Sequence, residues 1–206
     1  MSEPVLAPLN QGTFNRDVPP GTNPGRSDHY PMYDRLRLDS TLPPATERVL
    51  FNQNVRSTRD GVVLTYADTN NDYGDRVPDT QSYVYYWLDV YMMMNPAQMD
   101  EEGLEAYYDI IRQTYISFTI TNLADIFILP LWKFFGAQQS FAVPTASLIQ
   151  QPTPNFSGQW KLQKPITLEA GSQSYLSVFL PGGTSPAVLN GSFIGYSFEA
   201  KRNILT

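Results

Sequence analysis

From residue 114 onward, hydrophobic and polar positions alternate along the chain. Ile116, Phe118, Ile120 and Asn122 interleave with Tyr115, Ser117, Thr119 and Thr121, a period of two that puts one set on each face of a strand. Ile126 to Leu129 and Leu131 to Phe135 read as buried strands bent at Pro130. Shorter segments follow: Trp160-Lys161-Leu162, Ile166-Thr167-Leu168, Tyr175 to Leu180 and Phe193 to Phe198, separated by turns such as Ala170-Gly171-Ser172 and Pro181-Gly182-Gly183. Strands this short between Gly/Pro turns predict a sandwich or barrel rather than a βαβ sheet.

Upstream, Arg48-Val49-Leu50-Phe51 is a short apolar run, and Gly61-Val62-Val63-Leu64-Thr65-Tyr66 is a β-branched strand after an Asp-Gly turn. A helix-bearing insertion is expected at about 80–113. Gln81 to Met94 is dense in aromatic residues and methionine, and with Thr80 as a candidate N-cap both strand and helix stay open. The stretch from Asp100 to Arg112 predicts a helix. Asp100 caps it, acids crowd its first turn, and Leu104, Tyr107, Tyr108 and Ile111 recur at helical spacing.

Residues 1–45 show neither period. Eight of the 17 prolines lie here, with Gly12, Gly21 and Gly25 among them, a composition that opposes a helix or central strand. The segment reads as an extended arm ahead of a domain at 46–206. A disordered tail is one reading. An arm lying across a neighbouring subunit, with Val5, Leu6, Leu9, Phe14, Tyr30 and Tyr33 as anchors, is the other.

Composition narrows the function. The 206 residues are 42% hydrophobic, enough for one full core, but only 17% charged, below the roughly 25% usual for soluble domains. Uncharged polar and aromatic surface suits lasting protein contacts. Net charge is −6 and no Lys/Arg cluster is present, so direct nucleic-acid binding is not expected. There is no cysteine, hence no thiol nucleophile, thiolate zinc site or disulfide. Met1-Ser2-Glu3-Pro4 lacks the basic start of a signal peptide, and the most apolar stretch, Leu123 to Phe135, has 13 residues where a membrane span needs about 20. Synthesis in the cytoplasm is the expectation.

Candidate chemistry is sparse. His29, the one histidine, sits between Asp28 and Tyr30 in the Pro-rich segment, a poor place for a catalytic triad. No acid pair stands out for glycoside hydrolysis, so no catalytic residues are assigned and an enzyme is not expected. Asp68, Asn70, Asp72 and Asp79 match the first three and the twelfth positions of an EF-hand-like calcium loop, although Tyr73 replaces the usual Gly and Asp79 the bidentate Glu. The competing reading is a solvated loop whose Asp and Asn residues bond their own backbone. No other cofactor is implied. Met92-Met93-Met94 and the Trp132, Phe134, Phe135 cluster read as core, with a contact surface and a sugar-stacking site as their respective alternatives.

The layout of Leu42-Pro43-Pro44 leading into Arg48-Val49-Leu50-Phe51, then Ser117 to Leu123, Leu129-Pro130-Leu131-Trp132, Ile166 to Tyr175 and the ending Gly195-Tyr196-Ser197-Phe198-Glu199-Ala200 resembles the jelly-roll capsid proteins of icosahedral tailless bacteriophages and viruses. The resemblance implies a mainly β fold, a single eight-stranded jelly-roll β-sandwich, since two rolls do not fit between residues 46 and 206. It also implies a major shell or penton protein, located in the virion, whose partners are copies of itself and other capsid subunits. Membrane contact arises only if the virion contains lipid. A receptor- or carbohydrate-binding module of a virion is the alternative, and a hydrolase with paired carboxylates a third.

Overall fold

The computed structural model describes residues 24–39, 47–98, 100–121, 125–135, 156–180 and 188–205. In chain order these form β1 (Pro24–His29), β2 (Met32–Leu38), β3 (Glu47–Leu50), β4 (Thr58–Arg59), β5 (Val62–Val63), β6 (Gln81–Met93), α1 (Glu101–Gln113), β7 (Tyr115–Ile120), β8 (Asp125–Pro130), α2 (Trp132–Phe135), β9 (Phe156–Leu168), β10 (Ser174–Phe179) and β11 (Ser192–Leu205). The protein is mainly β. One sheet runs β1-β11-β6-β9, with β2 also paired to β11, and the other runs β3-β10-β7-β8. Every pairing is antiparallel. The β4–β5 hairpin stands apart and turns at Asp60 and Gly61, both with positive φ, the conformation that a two-residue Asp-Gly hairpin loop requires.

One core joins the two sheets. Phe198 of β11 stacks on Tyr85 of β6 with ring centroids 4.5 Å apart, and both meet Phe118 of β7, at 4.9 and 6.1 Å. Trp160 of β9 meets Phe127 of β8 edge-on at 5.1 Å. Aromatic faces from both sheets thus interlock, burying large apolar area with specific geometry.

The undecided segment 81–94 forms the strand β6 up to Met93, hydrogen-bonded on both sides by β11 and β9. Its alternation is hidden by a phase change. Tyr83 and Tyr85 point into the core, the register shifts between Tyr85 and Trp87, and Leu88, Val90 and Met92 then point inward. An extra residue at such a bulge moves every later side chain to the opposite parity.

Three other expectations are corrected. The arm does not extend to residue 45: residues 24–29 and 32–38 are strands, and β2 sends Leu36 and Leu38 into the core. Both lie on the flank of β11, and neither has a proline inside its run after its first residue, so proline's missing N–H is tolerated there. Eleven strands occur among the described residues, three of them (β1, β4 and β5) additional to the four strands of each main sheet. Leu131 to Phe135 is not a strand, since α2 covers Trp132–Phe135, and β8 alternates, with Ile126 and Ile128 exposed. Trp160–Leu162 and Ile166–Leu168 belong to one strand, β9.

The helix forms where expected. Asp100 accepts a hydrogen bond from the Gly103 backbone N–H at 2.8 Å, satisfying one orphan donor of the first turn. Its buried face is Gly103, Ala106, Tyr107, Ile110 and Ile111, one position off the anticipated stripe. A Cβ at residue 103 would lie 1.8 Å from the Gln98 carbonyl oxygen. The close approach of the preceding turn therefore demands glycine and sets which face turns inward. Val5, Leu6, Leu9, Phe14, Leu42-Pro43-Pro44, Asn122, Leu123 and Pro181-Gly182-Gly183 lie outside the described residues.

Candidate functional site

The loop expected to bind calcium is held by β2 instead. The Asp68 carboxylate is buried and accepts from Arg35 Nε at 2.8 Å, from Arg37 Nη2 at 2.8 Å, and from the Thr65 backbone N–H and hydroxyl at 2.9 and 2.7 Å. Burial raises its pKa, but hydrogen bonds from Thr65, Arg37 and Arg35 outweigh that and hold it well below the usual carboxylate range. Asn70 is spent on the same strand, donating to the Pro31 carbonyl at 2.6 Å and accepting from the Tyr33 N–H at 2.8 Å. Asp72 accepts from the Tyr66 hydroxyl at 3.3 Å. Asp79 lies elsewhere, beside the turn at Gly171. Asp68 and Asn70 are thus engaged with β2 and the residues before it, Asp72 with Tyr66, and Asp79 stands at a different turn. Two guanidinium groups share one oxygen of the Asp68 carboxylate.

A second carboxylate, missed in the sequence, completes this network. Asp34 of β2 is fully buried and faces Arg59, which donates through Nη1 at 2.8 Å and Nη2 at 2.7 Å. The backbone N–H groups of Phe51 and Arg35 donate to it as well, each at 2.8 Å. Burial pushes this carboxyl up, while Arg59 and the two N–H groups oppose the rise. The paired fork geometry is the strongest form of such a contact. Its chemistry is structural, fixing loop 51–72 onto β2. Nothing in the sequence pairs Asp34 with Arg59, because the pairing depends on the β4–β5 hairpin folding back.

His29 lies exposed on β1, its Nε2 hydrogen-bonded to the Glu199 carboxylate. The Trp132, Phe134, Phe135 cluster is split: Phe134 and Phe135 are buried, and Trp132 is 51% exposed. Of the methionine run, Met92 is core and Met93 is exposed.

Three large exposed apolar residues, Tyr115, Ile126 and Ile128, lie on the outer face of the four-stranded sheet, while Val63, Tyr66 and Met93 are exposed elsewhere. The registers place Glu47, Phe179, Tyr115 and Pro130 in one row across it, and Val49, Ser177, Ser117 and Ile128 in the next. Tyr115 and Phe179 stack at 4.4 Å with planes 9° apart. Ile128 is 60% exposed, Tyr115 42%, and Ile126 and Trp132 adjoin them in sequence. In these two rows the one charged residue is Glu47, whose carboxylate accepts from the Ser177 hydroxyl. Apolar side chains over a hydroxyl floor make this face a candidate contact surface.

No helix among the described residues is long and apolar enough to cross a membrane. No protein-family model matches the chain, and no curated protein sequence matches it.

Proposed function

We propose that this chain is a structural capsid protein, a single eight-stranded jelly roll that assembles with its own copies, or with other coat subunits, into the icosahedral shell of a virion. The strand order supports the fold part of this reading. Setting aside β1 and the β4–β5 hairpin, eight strands remain, four per sheet, in the orders β2-β11-β6-β9 and β3-β10-β7-β8. Successive strands largely alternate between the sheets, as two wrapped Greek keys require.

Fold does not carry function, so the assembly part rests on the apolar outer face of the four-stranded sheet. The chain carries a net charge of −6, so copies repel wherever their charged surfaces meet. The outer face of the five-stranded sheet bears Arg35, Arg37, Asp89, Glu199 and Lys161, whereas the two rows around Tyr115 and Ile128 bear Glu47 alone. Copies therefore meet with least repulsion, and with most apolar area buried, through the second face. Light scattering and electron microscopy of the purified chain test this. Rings, shells or discrete oligomers that Ile128→Asp disperses are the expected result. A strict monomer at the highest soluble concentration rejects the reading.

A further inference from the structure

The outer face of the five-stranded sheet has a different character. Arg35, Gly195 and Tyr91 form one row across β2, β11 and β6. Tyr33, Ser197, Asp89 and Gln159 form the next across β2, β11, β6 and β9, and Glu199, Trp87 and Lys161 the third. Tyr91 lies flat on the sheet. A Cβ on Gly195 would stand 2.0 Å from its Cζ and 2.4 and 2.5 Å from the neighbouring ring carbons, so the ring occupies the space a side chain would take and turns its other face outward. Phe193 stands edge-on to it at 6.1 Å and 88°, with the Arg35 guanidinium 4.7 Å over the Phe193 ring. Phe193 thus makes a wall beside a flat floor.

Trp87 projects from the same face of β6, four residues away and ~13 Å along the strand at the usual rise. Between the two rings stands Asp89, hydrogen-bonded to Gln159 and opposite Ser197. Asp89 and Gln159 offer acceptors and donors for hydroxyl groups, and the rings offer apolar faces.

We propose that this face is a binding site for a neutral, extended oligosaccharide, with sugar rings stacked on Tyr91 and Trp87 and the intervening hydroxyls hydrogen-bonded to Asp89, Gln159 and Ser197. Charge selects the ligand class. Asp89 and Glu199 at the centre repel a polyanion, while Arg35, Arg37 and Lys161 around them repel a cation, leaving an uncharged, hydroxyl-rich partner as the complementary one. A second copy of the chain fits poorly, because the same mixed charges would have to be desolvated on both sides. This site goes beyond the assembly reading and does not depend on it, since the two faces belong to different sheets.

Calorimetry and tryptophan fluorescence with soluble neutral hexasaccharides of glucose, mannose, xylose and N-acetylglucosamine, and with a decaproline peptide as a competing flat apolar probe, test the proposal on the full chain. At least one hexasaccharide should bind with Kd below about 1 mM. Gln159→Ala and Asp89→Asn, at positions on the solvent side of the sheet, should each weaken it about tenfold, as should Tyr91→Ala. Trp132→Ala, in the helix α2, should leave it unchanged. Unaltered thermal melting of Gln159→Ala separates loss of contacts from loss of fold. No binding by any hexasaccharide, binding indifferent to Gln159→Ala and Asp89→Asn, or equal binding of decaproline each overturns the assignment. A chain that assembles but binds no sugar rejects this site alone, and one that binds sugar as a monomer rejects the assembly reading alone.

Discussion

The two buried aspartates of β2 and its facing loop have contrasting environments, and each yields a test. Asp34 and Arg59 are nearly inaccessible and satisfy one another. Removing one partner strands a buried charge, which typically costs about 3–5 kcal/mol. Asp34→Ala should therefore lower stability by that order in urea titration, and Asp34→Ala with Arg59→Ala should cost less than the sum of the single changes. An additive pair would mean the fork carries no coupling. Asp68 is the pH-sensitive member. Its folded carboxyl lies below the usual range, so its contribution is fully present above the unfolded value near about 4 and is lost as pH falls through the folded one. The stability gap between wild type and Asp68→Asn should be constant from neutral pH to about 5 and shrink on further acidification. A gap that does not change would remove Asp68 from the acid response. The sequence singles out Asp68 together with its neighbours at 70 and 72. The partners the structure shows, Arg35 and Arg37, lie more than thirty residues upstream, brought close by the bridge between Asp34 and Thr69 and the bonds of Asn70 to Pro31 and Tyr33.

At the scale of elements, strands with unbroken alternation were legible and those with interruptions were not. β7 reads cleanly because Ile116, Phe118 and Ile120 keep one phase. β6 does not, because the bulge at Tyr86 splits its inward residues into two phases. α2 reads as strand because three aromatic residues and Lys133 span a single turn, too short to show a helical period. Its packing depends instead on Gly158, where a Cβ would fall 1.4 Å from the Phe134 carbonyl oxygen. The N-terminal boundary was misplaced because proline content outweighed the alternation of Met32, Asp34, Leu36 and Leu38, all buried, with Tyr33, Arg35 and Arg37. Deleting residues 2–38 should accordingly abolish cooperative unfolding, since it removes Asp34, Leu36, Leu38 and the flanking strands of β11 together. A sharp melting transition in that truncated chain, followed by circular dichroism, would show that β2 is dispensable.

For the whole molecule, the two outer faces divide the surface into a nearly uncharged side and a side of mixed charge, and salt distinguishes which one mediates self-contact. Copies that meet through Tyr115, Phe179 and Ile128 gain apolar burial and no ion pairs, while their net charges of −6 oppose approach. Added salt shortens the screening length from roughly 30 Å at 0.01 M to about 3 Å at 1 M. It weakens that repulsion without weakening the contact. Self-association measured by sedimentation should therefore strengthen with ionic strength, and Ile128→Asp should weaken it at least about tenfold at every salt concentration, because a carboxylate on the contact must be desolvated without a partner. Contact through the opposite face would behave in reverse. Arg37, Lys161, Asp89 and Glu199 would then supply interfacial ion pairs that salt screens, and association would fall as salt rises. The sign of the salt dependence thus assigns the contact to one sheet or the other before any complex is imaged.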